Sequence, residues 1–178
     1  MLPLDLNYDD VPADLVGKHQ LVTNYGTTEH VANQLNAFKV MHDLAAPGGI
    51  MMHSLPAQGS VNHGLVNYNP KFFWMLARSN GYEWLYMDYF ARGEHPVPPN
   101  VIDVVSRFAP DIAAREKDTR LVDMSLMVVL KKVFDIPFVP PLDVNTGTRT
   151  DNPVLAERYW TVFTPDAFDC LGDDNSRG

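Results

Sequence analysis

The chain has 178 residues, 46% hydrophobic and 11% aromatic against 20% charged, which suffices for one buried core and excludes an intrinsically disordered chain. Its longest apolar runs, at 72–77 and 124–130, fall far short of the roughly 20 residues that cross a bilayer, so a membrane-spanning helix is excluded. Fourteen Lys and Arg against 22 Asp and Glu leave a net charge of -8, which repels polyanions and disfavours nucleic acid and anionic membranes as partners. Met1-Leu2-Pro3-Leu4-Asp5 reaches an acidic residue before any basic or apolar signal region, so a cytoplasmic location is the default expectation. Cys170 is the only cysteine; no disulfide within the chain and no Cys-based zinc cluster can form. With no helix start or basic group nearby, it reads as an incidental thiol.

A strand-like pattern begins at the first residues, with no lead-in. Gln20 to Asn24 is a short apolar run ending in polar residues and Gly26, which predicts a strand delivering its C-terminal end to a loop. From Val31, apolar residues at Leu35, Phe38, Met41 or His42, and Ala45 have helical spacing, and Pro47-Gly48-Gly49 is expected to stop that helix. Ile50 to Leu55 is a continuous apolar run closed by Pro56, the pattern of a central parallel strand. Strand, helix and strand in this order predict a βαβ unit.

A polar loop, 57–68, precedes the best-punctuated helix: Asn69 as N-cap, Pro70 at the first helical position and Gly81 as the stop. Strands are expected at Glu83 to Phe90 and Met124 to Lys132. The intervening 91–122, with Pro96, Pro98 and Pro99, reads as an insertion carrying a short helix from near Asn100. Pro137, Pro140 and Pro141 and the polar 145–153 predict a surface linker, followed by an amphipathic element at 153–163 and a helix start at Thr164-Pro165-Asp166. The expected organisation is therefore a domain over 1–139, with the insertion at 91–122, and a linker and tail over 140–178.

Alternating strands and helices indicate an open α/β sheet, whose ligands bind at the carboxyl ends of strands. A strand ending in Leu21-Val22-Thr23-Asn24, then Glu29-His30-Val31 opening a helix, then Pro47-Gly48-Gly49 and a strand closed by Pro56, resembles the second half of class I S-adenosylmethionine-dependent methyltransferases. The resemblance runs from about Asp5 to Lys132 and includes the helix at Asn69 to Gly81 and a final strand pair that the family makes antiparallel. It implies a Rossmann-like sheet, N-terminally incomplete, with S-adenosyl-L-methionine as cofactor.

The same resemblance assigns roles. Asp5, Leu6 and Asn7 correspond to the loop after the third strand, where an acidic or amide side chain meets the adenine amine; an ordinary surface turn is the equal alternative. Asn24, Tyr25 and Gly26 correspond to the segment lining the methionine part of the cofactor, where a glycine admits backbone close to the ligand. Thr27 or Thr28 is expected to cap the helix. Glu29 and His30 are the candidate catalytic pair, because an imidazole ordinarily titrates near 6.5 and suits general-base work; packing at a helix start is the competing reading. His53, His63 and Tyr68 are candidate substrate-facing residues on the same rim. Phe73 and Leu76 read as core. The histidines and Glu29 have no recognised zinc spacing, so no metal is expected.

The family's Gly-rich loop after the first strand, and the acidic residue ending the second, have no counterpart; no G-x-G occurs. Without the first strand, Leu21 to Asn24 is expected to form an exposed apolar edge, open to self-association or to an N-terminal partner chain. The leading expectation is a fragment of an enzyme that methylates a small molecule or sugar by direct in-line transfer. The alternatives are a non-catalytic interaction module retaining half of the fold, or the distal half of a nicotinamide-dependent oxidoreductase.

Overall fold

In the computed structural model, which describes residues 3–60, 63–96, 120–142 and 154, the first strand, β1, spans His19–Tyr25. No strand precedes it among the described residues. Residues 3–18 form turns instead, because Asn, Asp, Pro and Gly in that stretch satisfy their backbone locally: the Tyr8 and Asp9 N–H groups both donate to the Asp5 carbonyl, at 3.0 and 2.7 Å.

Between β1 and the first α-helix lies one turn of 3-10 helix, Thr28–His30. The α-helix itself, α1, spans Gln34–Leu44 and is capped by Asn33, whose side chain accepts the Asn36 N–H at 3.1 Å. Glu29-His30 therefore does not open the α-helix, and neither Thr27 nor Thr28 caps it. Leu35, expected on the buried face, is 55% exposed, while Ala37, Phe38, Val40, Met41 and His42 are buried.

Strand β2 spans Ala45–Gln58 and contains the Pro47-Gly48-Gly49 segment that was expected to end the helix. Pairing with β1 is parallel and jumps from His19 opposite Ala45 to Leu21 opposite Ile50. The Pro-Gly-Gly segment is the irregularity that absorbs this jump. Gly48 has φ +82°, and a Cβ on Gly49 would stand 2.8 Å from the Ala46 carbonyl oxygen and 2.9 Å from that of His19, so only glycine fits where the two strands close up.

Helix α2 spans Pro70–Asn80 as its punctuation predicts: the Asn69 side chain accepts the Lys71 N–H at 2.9 Å and Gly81 takes φ +65°. Strands β3 (Tyr82–Pro96) and β4 (Arg120–Lys132) are longer than expected, so part of the proposed insertion is strand. The helix expected near Asn100, the elements expected at 153–163 and 164–166, and Cys170 lie outside the described residues.

The sheet order is β1-β2-β4-β3, with β1 and β2 parallel and β4 antiparallel to both of its neighbours. This is the expected α/β sheet with an antiparallel final pair, and β1 is its edge. Both helices cover one face, where Phe38 of α1 meets Phe72 and Phe73 of α2 at ring separations of 4.8 and 5.9 Å. Beneath them Met51 and Leu55 of β2 and Leu126, Val128 and Leu130 of β4 are buried. Each such side chain contributes about 1.5–3 kcal/mol of burial. On the opposite face Leu21, Tyr25 and Tyr86 stand about half exposed, and no helix covers them among the described residues. Among the described residues, no helix is long and apolar enough to cross a membrane.

Candidate functional site

The carboxyl ends of β1 and β2 are joined by a buried polar network that starts at Asn24. Its amide carbonyl accepts the Thr28 N–H at 3.2 Å, and its Nδ2 donates to Thr28 Oγ1 at 2.8 Å and to His53 Nδ1 at 3.2 Å. A short amide at this position lets the chain leave the strand and turn within four residues. The Tyr68 hydroxyl sits 2.8 Å from Thr28 Oγ1 and 2.7 Å from Gln34 Oε1, and Gln34 Nε2 donates to the Thr28 and Val31 carbonyls at 2.7 and 2.6 Å.

This network corrects three expectations. Asn24 is fully buried, backbone included, with its amide engaged inside the protein, so it does not itself line a cofactor surface. His53 is 1% exposed between Phe38 and Phe73, not on the rim; burial pushes it down to about 3 and keeps it neutral. Tyr68 is likewise buried, its hydroxyl raised to about 12 chiefly by burial and committed to the turn, while the residue also lines the cleft that opens after β2. Phe73 and Leu76 are core, as expected.

The rim itself is made by Gly26, Glu29, His30 and His63. Gly26 turns the chain at φ +65°, its N–H donating to the Ser54 carbonyl at 3.1 Å, and is exposed. Tyr25 beside it points to the opposite face, its hydroxyl 3.8 Å from Met52 Sδ. Glu29 is 1% exposed although it belongs to a surface turn, because the loop after β2 folds over it. The Leu65 and Val66 N–H groups both donate to the Glu29 carbonyl, at 2.7 and 3.2 Å. A Cβ on Gly64 would fall 2.9 Å from Glu29 Cγ, so glycine is required for this approach.

That folded loop carries His63 to the carboxylate. His63 Nε2 lies 3.6 Å and His30 Nε2 3.9 Å from Glu29 Oε1, with the two imidazoles 5.2 Å apart and each about half exposed. One ligating atom from each of the three residues lies within 4.8 Å of the others. The sequence places His63 on the same rim as Glu29 and His30 but not within contact of them; only Gly64, following the histidine, hints at close packing.

Asp5, Leu6 and Asn7 lie in a turn tied to the start of α1. The Asn7 carboxamide accepts the Asn33 N–H at 3.0 Å, Asn33 Nδ2 donates back to the Asn7 carbonyl at 2.9 Å, and Asn36 Nδ2 donates to the Leu6 carbonyl at 3.0 Å. Asp5 is exposed, its Oδ1 accepting the Asn7 N–H at 2.9 Å. The turn is thus three residues along the chain from His30 through its Asn33 contact. A cleft of about 470 Å³ opens beyond β2, lined by Ala57, Gln58, Asn67, Asn69, Tyr89 and Met124 among others.

Comparison of the sequence with protein-family profiles and with curated proteins finds no match. Comparison of the structure finds a protein of Bacillus halodurans C-125, provisionally assigned as a methyltransferase, at 9% identity and a TM-score of 0.53, covering 73% of this chain and 70% of that one. An S-adenosylmethionine-dependent methyltransferase of Mesorhizobium loti aligns at 14% identity and a TM-score of 0.41, over 72% and 67% of the two chains. The parallel β1–β2 pair, the antiparallel β4–β3 pair and the helices on one face have the class I methyltransferase fold.

Proposed function

We propose that the chain serves S-adenosyl-L-methionine-dependent methyl transfer to a small-molecule or sugar acceptor. The observation that carries this reading is the exposed left-handed turn at Gly26, at the end of a parallel strand of a methyltransferase-type sheet, directly beside Glu29 and His30. Two of the residues present suit that cofactor: Gly26 offers backbone without a side chain to its methionine part, and Asp5 offers an exposed carboxylate to its adenine amine. No G-x-G turn occurs in the sequence, so these residues account for only part of such a site.

The cofactor supplies a methyl group on a sulfonium. Transfer breaks the carbon–sulfur bond, leaves its electron pair on sulfur, forms a bond from the acceptor's oxygen or nitrogen to carbon, and releases one proton from the acceptor. His30, backed by the Glu29 carboxylate, is placed to take that proton, and His63 faces the same space. The remaining contribution is positioning donor and acceptor in line and excluding water.

NMR titration of the chain with S-adenosylmethionine tests the reading. Shifts should cluster at residues 24–30 and 5–7 and weaken in Gly26→Val. Saturating cofactor that leaves those residues unmoved would overturn it.

A second reading is favoured by the exposed edge strand, where Leu21 and Tyr25 are about half exposed: an interaction module that receives a strand from a second copy or a separate N-terminal partner chain. Light scattering behind size-exclusion chromatography checks it, and a monomer at high micromolar concentration argues against self-association.

A further inference from the structure

We infer that Glu29, His30 and His63 form a binding site for a divalent transition-metal ion of the zinc class, open to solvent on its outer side. The donor set is two imidazole Nε2 atoms and one carboxylate, which selects zinc and its neighbours over magnesium or calcium. The present separations of 3.6 and 3.9 Å around Oε1 are too long for hydrogen bonds. Those separations, and the one between the two imidazole nitrogens, which lies within 4.8 Å, must close toward about 3.4 Å for all three atoms to reach one ion at about 2.0–2.2 Å.

The independent observation is the state of Glu29. Its side chain is 99% buried, as its 1% exposure states, and Oε2 has no hydrogen-bond partner among the described residues. An ionised carboxylate in that position has a bare oxygen, and a protonated one has a hydroxyl with nothing to accept its proton; each is costly. A cation between the carboxylate and the two imidazoles removes the conflict, and two-oxygen coordination would engage Oε2 as well. The site is also built in advance. Leu65 and Val66 bind the Glu29 carbonyl, and Gly26 and Gly64 leave no side chain between the carboxylate and the rim.

Three protein ligands leave at least one coordination position for water or a ligand oxygen. If methyl transfer occurs here, the acceptor's hydroxyl is the natural occupant and coordination would loosen its proton to solvent, replacing His30 as base because the metal would then hold its Nε2; that extension rests on the function proposed above, whereas the metal site does not.

The test is calorimetric titration of the chelator-treated, re-dialysed full chain with zinc chloride, with cobalt(II) absorption as a second readout. One ion per chain is expected, with affinity lowered about tenfold or more in His30→Ala and in His63→Ala, and magnesium binding far more weakly. Both imidazoles are half exposed, so these variants leave the core untouched, and circular dichroism of each confirms it. No zinc binding, unchanged zinc binding in the double variant, or equal binding of magnesium would each overturn the proposal. Because zinc is titrated without cofactor, a failure here leaves methyl transfer standing, and a failure of cofactor binding leaves the metal site standing.

Discussion

The two faces of the sheet are built from the same four strands and differ in nearly everything else. On the helix-covered face, Met51, His53 and Leu55 of β2 are buried beneath α1 and α2, and the His53 Nδ1 there shares a hydrogen bond with the Asn24 amide. On the other face, Leu21, Tyr25 and Tyr86 remain about half exposed over Ile50, Met52 and Val129. Strand alternation makes both faces apolar, but only the partner above a face turns that apolarity into stability.

The largest effect expected from breaking this contrast is in the aromatic group that joins the helices. Phe73→Ala should cost about 3–5 kcal/mol, read as a lowered urea midpoint, since Phe73 is fully buried against Phe38, Phe72, Tyr68 and His53. A loss below about 1 kcal/mol would mean that the two helices do not share one core.

Acid should act on the same face. Burial lowers His53 to about 3, and His42 is lowered by burial and then by Lys132. An unfolded chain takes protons on these rings below about 6.5 while the folded one refuses them, so their contribution is intact above that pH and drains away as pH falls toward 3. Unfolding midpoints measured from pH 7.5 to 4.5 should decline, and the decline should be shallower in His53→Gln.

Next comes the network under the rim. Asn24→Ala removes the acceptor of the Thr28 N–H and the donor to His53 Nδ1, at an expected loss of about 1–3 kcal/mol. If amide exchange of residues 28–30 were no faster in this variant, the proposed role of Asn24 in holding the turn would fail.

Smallest is the open face, where Tyr86→Ser should change stability by no more than about 0.5 kcal/mol. If a second copy covers that face in solution, the same substitution should shift sedimentation toward monomer, sharpening the contrast from one of exposure to one of occupancy.

Much of this architecture is legible before any coordinates. The Asn69-Pro70 start and Gly81 stop place α2 to the residue, because capping chemistry is local. Pro47-Gly48-Gly49 misleads for the opposite reason: the same residues that end helices also relieve a strand bulge, and which role wins depends on how closely the His19 carbonyl approaches, a tertiary fact. His53 could have been placed correctly, since it alternates with Met51 and Leu55, both apolar, and so shares their buried face. That His63 shares a rim with Glu29 follows from its place in a loop after a parallel strand, but their close approach does not; backbone hydrogen bonds from Leu65 and Val66 bring them together, and main-chain donors are the same in every residue but proline.

The cooperative unit extends beyond the last strand. After β4 the chain does not simply depart: Asn80 exchanges two hydrogen bonds with the Val139 backbone, at 2.9 and 2.8 Å, and buried His42 places Nε2 2.7 Å from the Ile136 carbonyl. Both side chains belong to helices that support the sheet. The stretch through Val139 must therefore unfold with that sheet, not before it, and a chain cut just after Lys132 would leave the buried Oδ1 of Asn80 and the Nε2 of His42 without these partners. Protease resistance should accordingly extend past the last strand to about Val139.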